Sequence, residues 1–254
     1  MCLINFQWNE HPSYKLIIAA NRDEFYERPT APAQFWEEEP NILAGQDLLQ
    51  KGTWLGITKS GKFAALTNYR DPEHMKKGAL SRGEIVTNFL TTDLSPEGYL
   101  QKLKERKNDY VGFNVLVGNT DKLYHYNNVL DERTEISPGV HGLSNATLDT
   151  PWPKVVKGKK QLKEYTAANE KIDPDKLFSI ISDAEEADDA SLPETGVGLE
   201  MERKLSAPFI KMAEYGTRSS TVLLMDQQNN VKFFERTYEK GEFRDEKQFS
   251  FKIE

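Results

Sequence analysis

Cys2 is the only cysteine of the chain, and loss of Met1 would make it the N-terminal residue. A cysteine in that position carries nucleophile and base together, because the freed α-amine has a pKa of about 7.7–8.0 and is partly unprotonated near neutral pH. The chemistry that follows is attack on a carbonyl and transfer of an acyl group. A second cluster able to support it is Asn21-Arg22-Asp23-Glu24. A carboxylate there can hold an ammonium, and a guanidinium can favour a thiolate. Both features also have ordinary explanations. A lone cysteine heading Leu3-Ile4-Asn5-Phe6 can be a small buried hydrophobe, and four polar residues can be a solvated strand end.

Whether the two clusters meet depends on the elements that carry them. Residues 2–8 and 15–20 are β-prone and separated by turn formers at 9–14, so they are expected to pair as a hairpin. If Trp8 pairs with Lys15, Cys2 falls opposite Asn21, with Asp23 one diagonal step away on the same face. A register shifted by one brings Arg22 there instead. A Pro-rich connection spans 29–40, and short strands are expected at 53–58 and 62–68. Ser81-Arg82-Gly83-Glu84 has the pattern of a capping box ahead of Ile85, Val86, Phe89 and Leu90 at helical spacing, and Ser95-Pro96 opens a second helix through Leu103. Strands follow at 110–118, 122–126 and 141–145. Further helices are expected at 152–165, 174–181 and 201–212, and closing strands at 219–226 and 231–236. Hairpins this short cannot make parallel crossovers, so the order predicts an α+β fold with mainly antiparallel sheet. Only 183–200 reads as a long polar loop, and no repeat recurs, so residues 1–254 are expected to form a single domain.

Composition narrows the function classes. Across 254 residues, 33 Lys and Arg face 40 Asp and Glu, a formal charge of −7. Nucleic-acid binding needs a clustered excess of cations. Here the lysine-rich stretch 154–163 is offset by the acidic run 183–189, which predicts a mixed, solvated surface and no nucleic-acid partner. Hydrophobic residues make up 38% of the chain, enough for a packed core and too much for disorder. No run approaches the roughly 20 apolar residues that span a bilayer, and no basic leader opens the chain, so a cytoplasmic protein without a membrane span is expected. One cysteine excludes an internal disulfide and a structural zinc site, and the four histidines lack ligand spacing, so neither metal nor cofactor is expected.

Met1-Cys2, Ala20-Asn21-Arg22-Asp23-Glu24, Lys51-Gly52-Thr53-Trp54-Leu55-Gly56, Leu66-Thr67-Asn68-Tyr69-Arg70, Ser81-Arg82-Gly83, Gly142-Leu143-Ser144-Asn145 and Tyr215-Gly216-Thr217-Arg218-Ser219-Ser220-Thr221 resemble the NRDE protein family, also called the transport and Golgi organisation protein 2 family. These blocks span nearly the whole chain in order. The resemblance implies an N-terminal nucleophile hydrolase-like fold, an αββα four-layer sandwich of two mainly antiparallel sheets. The cysteine branch of that superfamily, which includes penicillin V acylases and bile salt hydrolases, attacks an amide carbonyl with an N-terminal cysteine. By resemblance, Cys2 matches the nucleophile, Arg22 the arginine that hydrogen-bonds it, and Asp23 the aspartate that orients the amine. Asn68 matches an oxyanion-hole asparagine, Asn145 the second asparagine and Arg218 the late arginine. One departure stands out: in those acylases two residues separate the arginine from the aspartate. Here the two are adjacent and Phe25 takes the spaced position, which leaves Glu24 as an alternative to Asp23. The plain alternatives are a turn residue for Asn68, a helix N-cap for Asn145 and a surface cation for Arg218.

The function so implied is hydrolysis of a small-molecule amide or related acyl bond, in a pocket that the 183–200 loop, Trp36 and Trp54 could wall. The alternative is a non-catalytic carrier of an apolar ligand, an acyl lipid or haem, since a scaffold does not dictate an activity. His125, His141 or Cys2 would then be the axial residue for haem. A structural or trafficking role without ligand is a third reading. Three motif matches carry no function here. Leu192-Pro193-Glu194-Thr195-Gly196 lacks the secretion context of a sortase signal. Gly142-Leu143-Ser144-Asn145-Ala146 lacks the second glycine of a nucleophile elbow. Asn145-Ala146-Thr147 does not meet the glycosylation machinery in a cytosolic chain.

Overall fold

The structure, a computed structural model, describes residues 2–70 and 80–254; Met1, whose removal the proposed chemistry requires, lies outside the described residues. Residues 1–27 and 137–251 form one compact unit, and residues 28–136 and 252–254 form another.

In the first unit a six-stranded sheet runs in the order β10 (Gly139–Leu143), β1 (Cys2–Trp8), β2 (Tyr14–Phe25), β11 (Tyr215–Asp226), β12 (Asn230–Glu239), β13 (Glu242–Lys252). The first two strands pair Trp8 with Leu16 and Cys2 with Arg22. The register with Trp8 on Lys15 is therefore corrected by one place, to its alternative. The turn accounts for the shift: Asn9, at φ 45°, donates its N–H to the Lys15 carbonyl (2.8 Å), and the Ser13 N–H donates to His11 Nδ1 (3.1 Å). β2 also runs past Ala20 to Phe25, because β11 pairs with it from Tyr215 opposite Phe25 to Asp226 opposite Tyr14. Arg22 and Asp23 thus lie inside a sheet, not on a solvated end.

The pleat sends alternate residues to opposite faces. Ile17, Ala19, Val222 and Leu224 pack with Leu162 of α3 (Pro153–Ala168) and with Leu177, Phe178 and Ile181 of α4 (Pro174–Ile181). Asn21 and Asp23 continue that helix-facing side, while Cys2, Ile4 and Phe6 pair with Arg22, Ala20 and Ile18 on the other. Gly158 permits the close approach of α3, since a Cβ there would stand 2.3 Å from Asn5 Nδ2. The last helix, α5 (Leu199–Ser206), starts before the expected 201–212 range and ends six residues before its close. Ala207 is extended ahead of Pro208, which disfavours helical backbone in the preceding residue.

The second unit is a seven-stranded antiparallel meander in the order β3 (Thr30–Phe35), β4 (Ile42–Asp47), β5 (Leu55–Thr58), β6 (Phe63–Asn68), β7 (Phe113–Gly118), β8 (Leu123–Asn127), β9 (Glu132–Glu135). Helices α1 (Gly83–Thr91) and α2 (Pro96–Glu105) pack on it through Ile85, Val86, Phe89, Tyr99, Leu100 and Leu103. Ser95 caps α2 as expected, accepting the Gly98 N–H at 3.1 Å. The capping box does not form: Arg82 is the N-cap of α1, and the Glu84 carboxylate instead accepts the Tyr110 hydroxyl (2.7 Å). β3 falls within the expected Pro-rich connection; it tolerates Pro32 because it is an edge strand, irregular between Ala31 and Gln34. Both units are antiparallel sheet with helices, an α+β fold. Among the described residues no helix is long and apolar enough to cross a membrane.

Candidate active site

Cys2, at the head of β1, lies directly across from Arg22, and the Asp23 N–H donates to its sulfur. β11 completes the neighbourhood. Thr217 stands opposite Asp23 and Ser219 opposite Arg22, so Arg218 is the extra residue of a β-bulge. The Thr217 hydroxyl accepts the Ile210 N–H (2.9 Å), which commits its own proton to Asp23 Oδ1 (2.7 Å). The Tyr215 hydroxyl donates to the Asp23 carbonyl (2.9 Å). The Glu24 carboxylate accepts the Phe25 N–H (2.9 Å).

On the other flank β10 pairs with β1 as far as Leu143 opposite Ile4, and the chain then continues through Ser144 and Asn145. The Ser144 hydroxyl donates to the Cys2 carbonyl (3.0 Å) and also approaches Asn145 Oδ1 (3.2 Å). The Asn145 amide is buried, and its Nδ2 is the end able to donate. Asn145 is not a helix cap, because α3 starts after Trp152. Asn21 anchors the strand that carries Arg22 and Asp23. Its Nδ2 donates to the carbonyls of Ile181 (2.7 Å) and Pro208 (2.8 Å), and its Oδ1 accepts the Ser220 hydroxyl (2.6 Å).

Burial dominates the electrostatics. Cys2 is 8% exposed; burial pushes its thiol up and the Asp23 carboxylate adds to this, while the Asp23 N–H and the Arg22 guanidinium pull it down. Asp23, 2% exposed, is likewise pushed up by burial, against the downward pull of Lys154, Thr217 and Arg22. Arg218 is half-buried, and burial together with the Arg22 charge lowers its pKa. Its Nη1 donates to the carbonyls of Phe25 (2.8 Å) and Tyr26 (3.0 Å), so it is a strand-end brace and not a loose surface cation. The arrangement holds a thiol beside a guanidinium and the Asp23 N–H, with the Asp23 carboxylate on the opposite face of the same strand, and the buried Asn145 amide can offer a donor to a developing oxyanion.

Cys2, Arg22, Asp23, Asn145 and Arg218 thus fall in one unit. Asn68 ends β6 of the other unit, opposite Phe113, and its role rests on the resemblance. Trp36 belongs to the core of that unit, its Nε1 donating to the Ala44 carbonyl (3.0 Å). As haem ligands the histidines fit poorly. His141 engages Asp149 through Nδ1 (2.8 Å) and the Ser137 carbonyl through Nε2 (2.9 Å), and His125 is buried against Asn114 (3.0 Å). Sequence reasoning missed Thr217, Ser144 and Lys154 as site residues. The first two lie within quoted motif blocks, but the bulge that aims Thr217 is a backbone irregularity that no residue type announces. Lys154 is buried, which corrects the reading of 154–163 as wholly solvated.

The profile of the family described as Transport and Golgi organisation 2 matches residues 1–240. The Transport and Golgi organization protein 2 homologs of Bos taurus and Homo sapiens are each 38% identical over 257 residues, covering 93% of this chain and 93% of the relative. A solved variant of the conjugated bile acid hydrolase from Clostridium perfringens superposes with a TM-score of 0.52 at 10% identity, covering 98% of this chain and 97% of that one. Similarity at that identity concerns the fold alone, which is that of the N-terminal nucleophile hydrolases. Joined to the sequence relatives and the motif blocks now placed in the structure, the profile match shows that the chain belongs to the Transport and Golgi organisation 2 family.

Proposed function

We propose that the protein is a cysteine N-terminal nucleophile hydrolase of a small-molecule amide or related acyl bond. The observation that carries this reading is the convergence of Cys2, Arg22 and Asp23 on paired strands, with the Asp23 N–H on the sulfur. Once Met1 is removed, the Cys2 sulfur bonds to the carbonyl carbon and its proton passes to the Cys2 amine. The Asp23 carboxylate steadies the ammonium so formed, and Asn145 Nδ2 donates to the oxyanion. Collapse breaks the bond to the leaving amine, which takes the proton from the ammonium and leaves a thioester. Water, deprotonated by the same amine, then attacks the thioester; the acid departs and the thiol is restored. A cytoplasmic location is part of this reading, and a chain with a single cysteine, which needs no internal disulfide, is compatible with a reducing compartment.

A carrier of an apolar ligand is the second reading, favoured by the burial that pushes the Cys2 thiol up. Two measurements separate them. Intact mass of the protein from its native cell should show loss of Met1, and a library of amides and thioesters should contain a compound that the wild type turns over and Cys2→Ser does not. A retained Met1, or ligand affinity unchanged in Cys2→Ser with no turnover by either form, overturns the hydrolase and leaves the carrier.

A further inference from the structure

Lys154 is 1% exposed, whereas Lys157, Lys159 and Lys160 on the same helix reach solvent and pair with surface carboxylates. It lies in the first turn of α3, where the N-cap residue Trp152 makes no side-chain cap and no acidic residue offsets the charge. A cation there opposes the helix dipole and loses its hydration, two costs that an anion must compensate. The packing identifies the anion. Leu162 packs with Ile17, which pairs with Gln7, and Gly158 lies against Asn5. Each turn toward the start of α3 therefore moves two residues back along β1, which brings Lys154 over Leu3. Leu3 pairs with Asn21, and the next helix-facing residue of β2 is Asp23.

We infer that Lys154 is a positioning residue that holds Asp23 as a carboxylate from the first turn of α3, and through it fixes the charge that orients the Cys2 amine. The electrostatics agree, since the Lys154 charge favours the ionised form of Asp23. Arg22 acts in the same sense from β2; on β11 the Thr217 hydroxyl donates to Asp23 Oδ1 (2.7 Å) and the Tyr215 hydroxyl to the Asp23 carbonyl (2.9 Å), and Cys2 of β1 pairs with Arg22 on the other face of the sheet. The hold on Asp23 stands on the placement of α3 over β1 and β2 together with that charge effect, and only its effect on the amine rests on the hydrolase reading.

The test is a thermal cycle with Asp23→Asn, Lys154→Met and the double variant, joined to an NMR titration of the Asp23 carboxyl. Each single exchange strands a buried charge and should lower Tm, while the double variant should regain at least half of the summed loss. Lys154→Met should raise the Asp23 titration midpoint by one pH unit or more, and Lys154→Arg should restore it. Additive losses, or a midpoint that does not move, overturn the inference. Should a single variant fail to fold, a folded double variant supports the pair and an unfolded one overturns it. Neither readout needs turnover, so a coupled pair beside an inert Cys2 would sink the hydrolase reading alone.

Discussion

Each unit buries a polar cluster, and the two are satisfied by different means. In the second unit Asn114 Oδ1 accepts from His125 Nε2 (3.0 Å) and Asn127 Nδ2 (2.8 Å), and Asn114 Nδ2 donates to Thr67 Oγ1 (3.2 Å). Asn127 Oδ1 in turn accepts the N–H groups of Val129 (2.9 Å) and Leu130 (2.8 Å). That network of amides, a hydroxyl and an imidazole links β6, β7 and β8 and stiffens a hairpin. The first unit instead buries a thiol together with three ionisable side chains, Arg22, Asp23 and Lys154. Buried polarity alone therefore does not mark a site; buried charge around a nucleophile does.

The contrast can be broken first at Cys2. Cys2→Ala should lower kcat/KM at least about 10³-fold with Tm nearly unchanged, and retained turnover would remove the distinction between the clusters. Next in size is Asn145→Ala, which should slow kcat by about 10²–10³, the about 2.7–4 kcal/mol typical of one oxyanion donor, with little change in KM. A matched pair then sharpens the comparison. Asn114→Leu strips partners from His125, Asn127 and Thr67, and Asn21→Leu strips them from Ile181, Pro208 and Ser220. Each should cost about 2–4 kcal/mol in urea unfolding, because buried groups are left unsatisfied. Only Asn21→Leu should also slow alkylation of Cys2.

The smallest effect concerns Asp149. Burial pushes its carboxyl up, but His141 (2.8 Å), Lys159 (2.6 Å) and the Gly142 N–H (2.9 Å) outweigh this and hold it at about 2. A carboxyl held below its unfolded value adds stability that is complete above about pH 4 and lost as pH falls toward about 2. Its side chain is 32% exposed, so solvent screening reduces the contribution to about 1 kcal/mol. Asp149→Asn should flatten that part of the stability profile between pH 4 and pH 2; an unchanged slope would show that the group contributes nothing.

Much of this was legible beforehand. The hairpin bearing Cys2 and Arg22 followed from two apolar runs and a turn, and one of its two registers is the one observed. Strands that carry little apolar signal escaped: every residue of β9 is exposed, and β13 is exposed along most of its length. Charge misled at Lys154, which is buried while Lys157, Lys159 and Lys160 of the same helix reach solvent. Asn21 read as one polar residue among four, because its two carbonyl partners lie 160 and 187 residues away. Local pattern locates strands and helices, whereas long-range hydrogen bonds become visible only after folding.

Those two carbonyls have a further consequence. Ile181 immediately precedes, and Pro208 immediately follows, the stretch 182–207, so a single amide clasps both of its roots; the Phe209 N–H on the Asp183 carbonyl (2.9 Å) fastens the same neck. Closure entropy for a segment pinned at its base grows only slowly with length. A change of length confined to the exposed part of 182–207 can therefore leave the strand behind it in place, whereas Glu202, Leu205, Ser206 and Ala207 are buried.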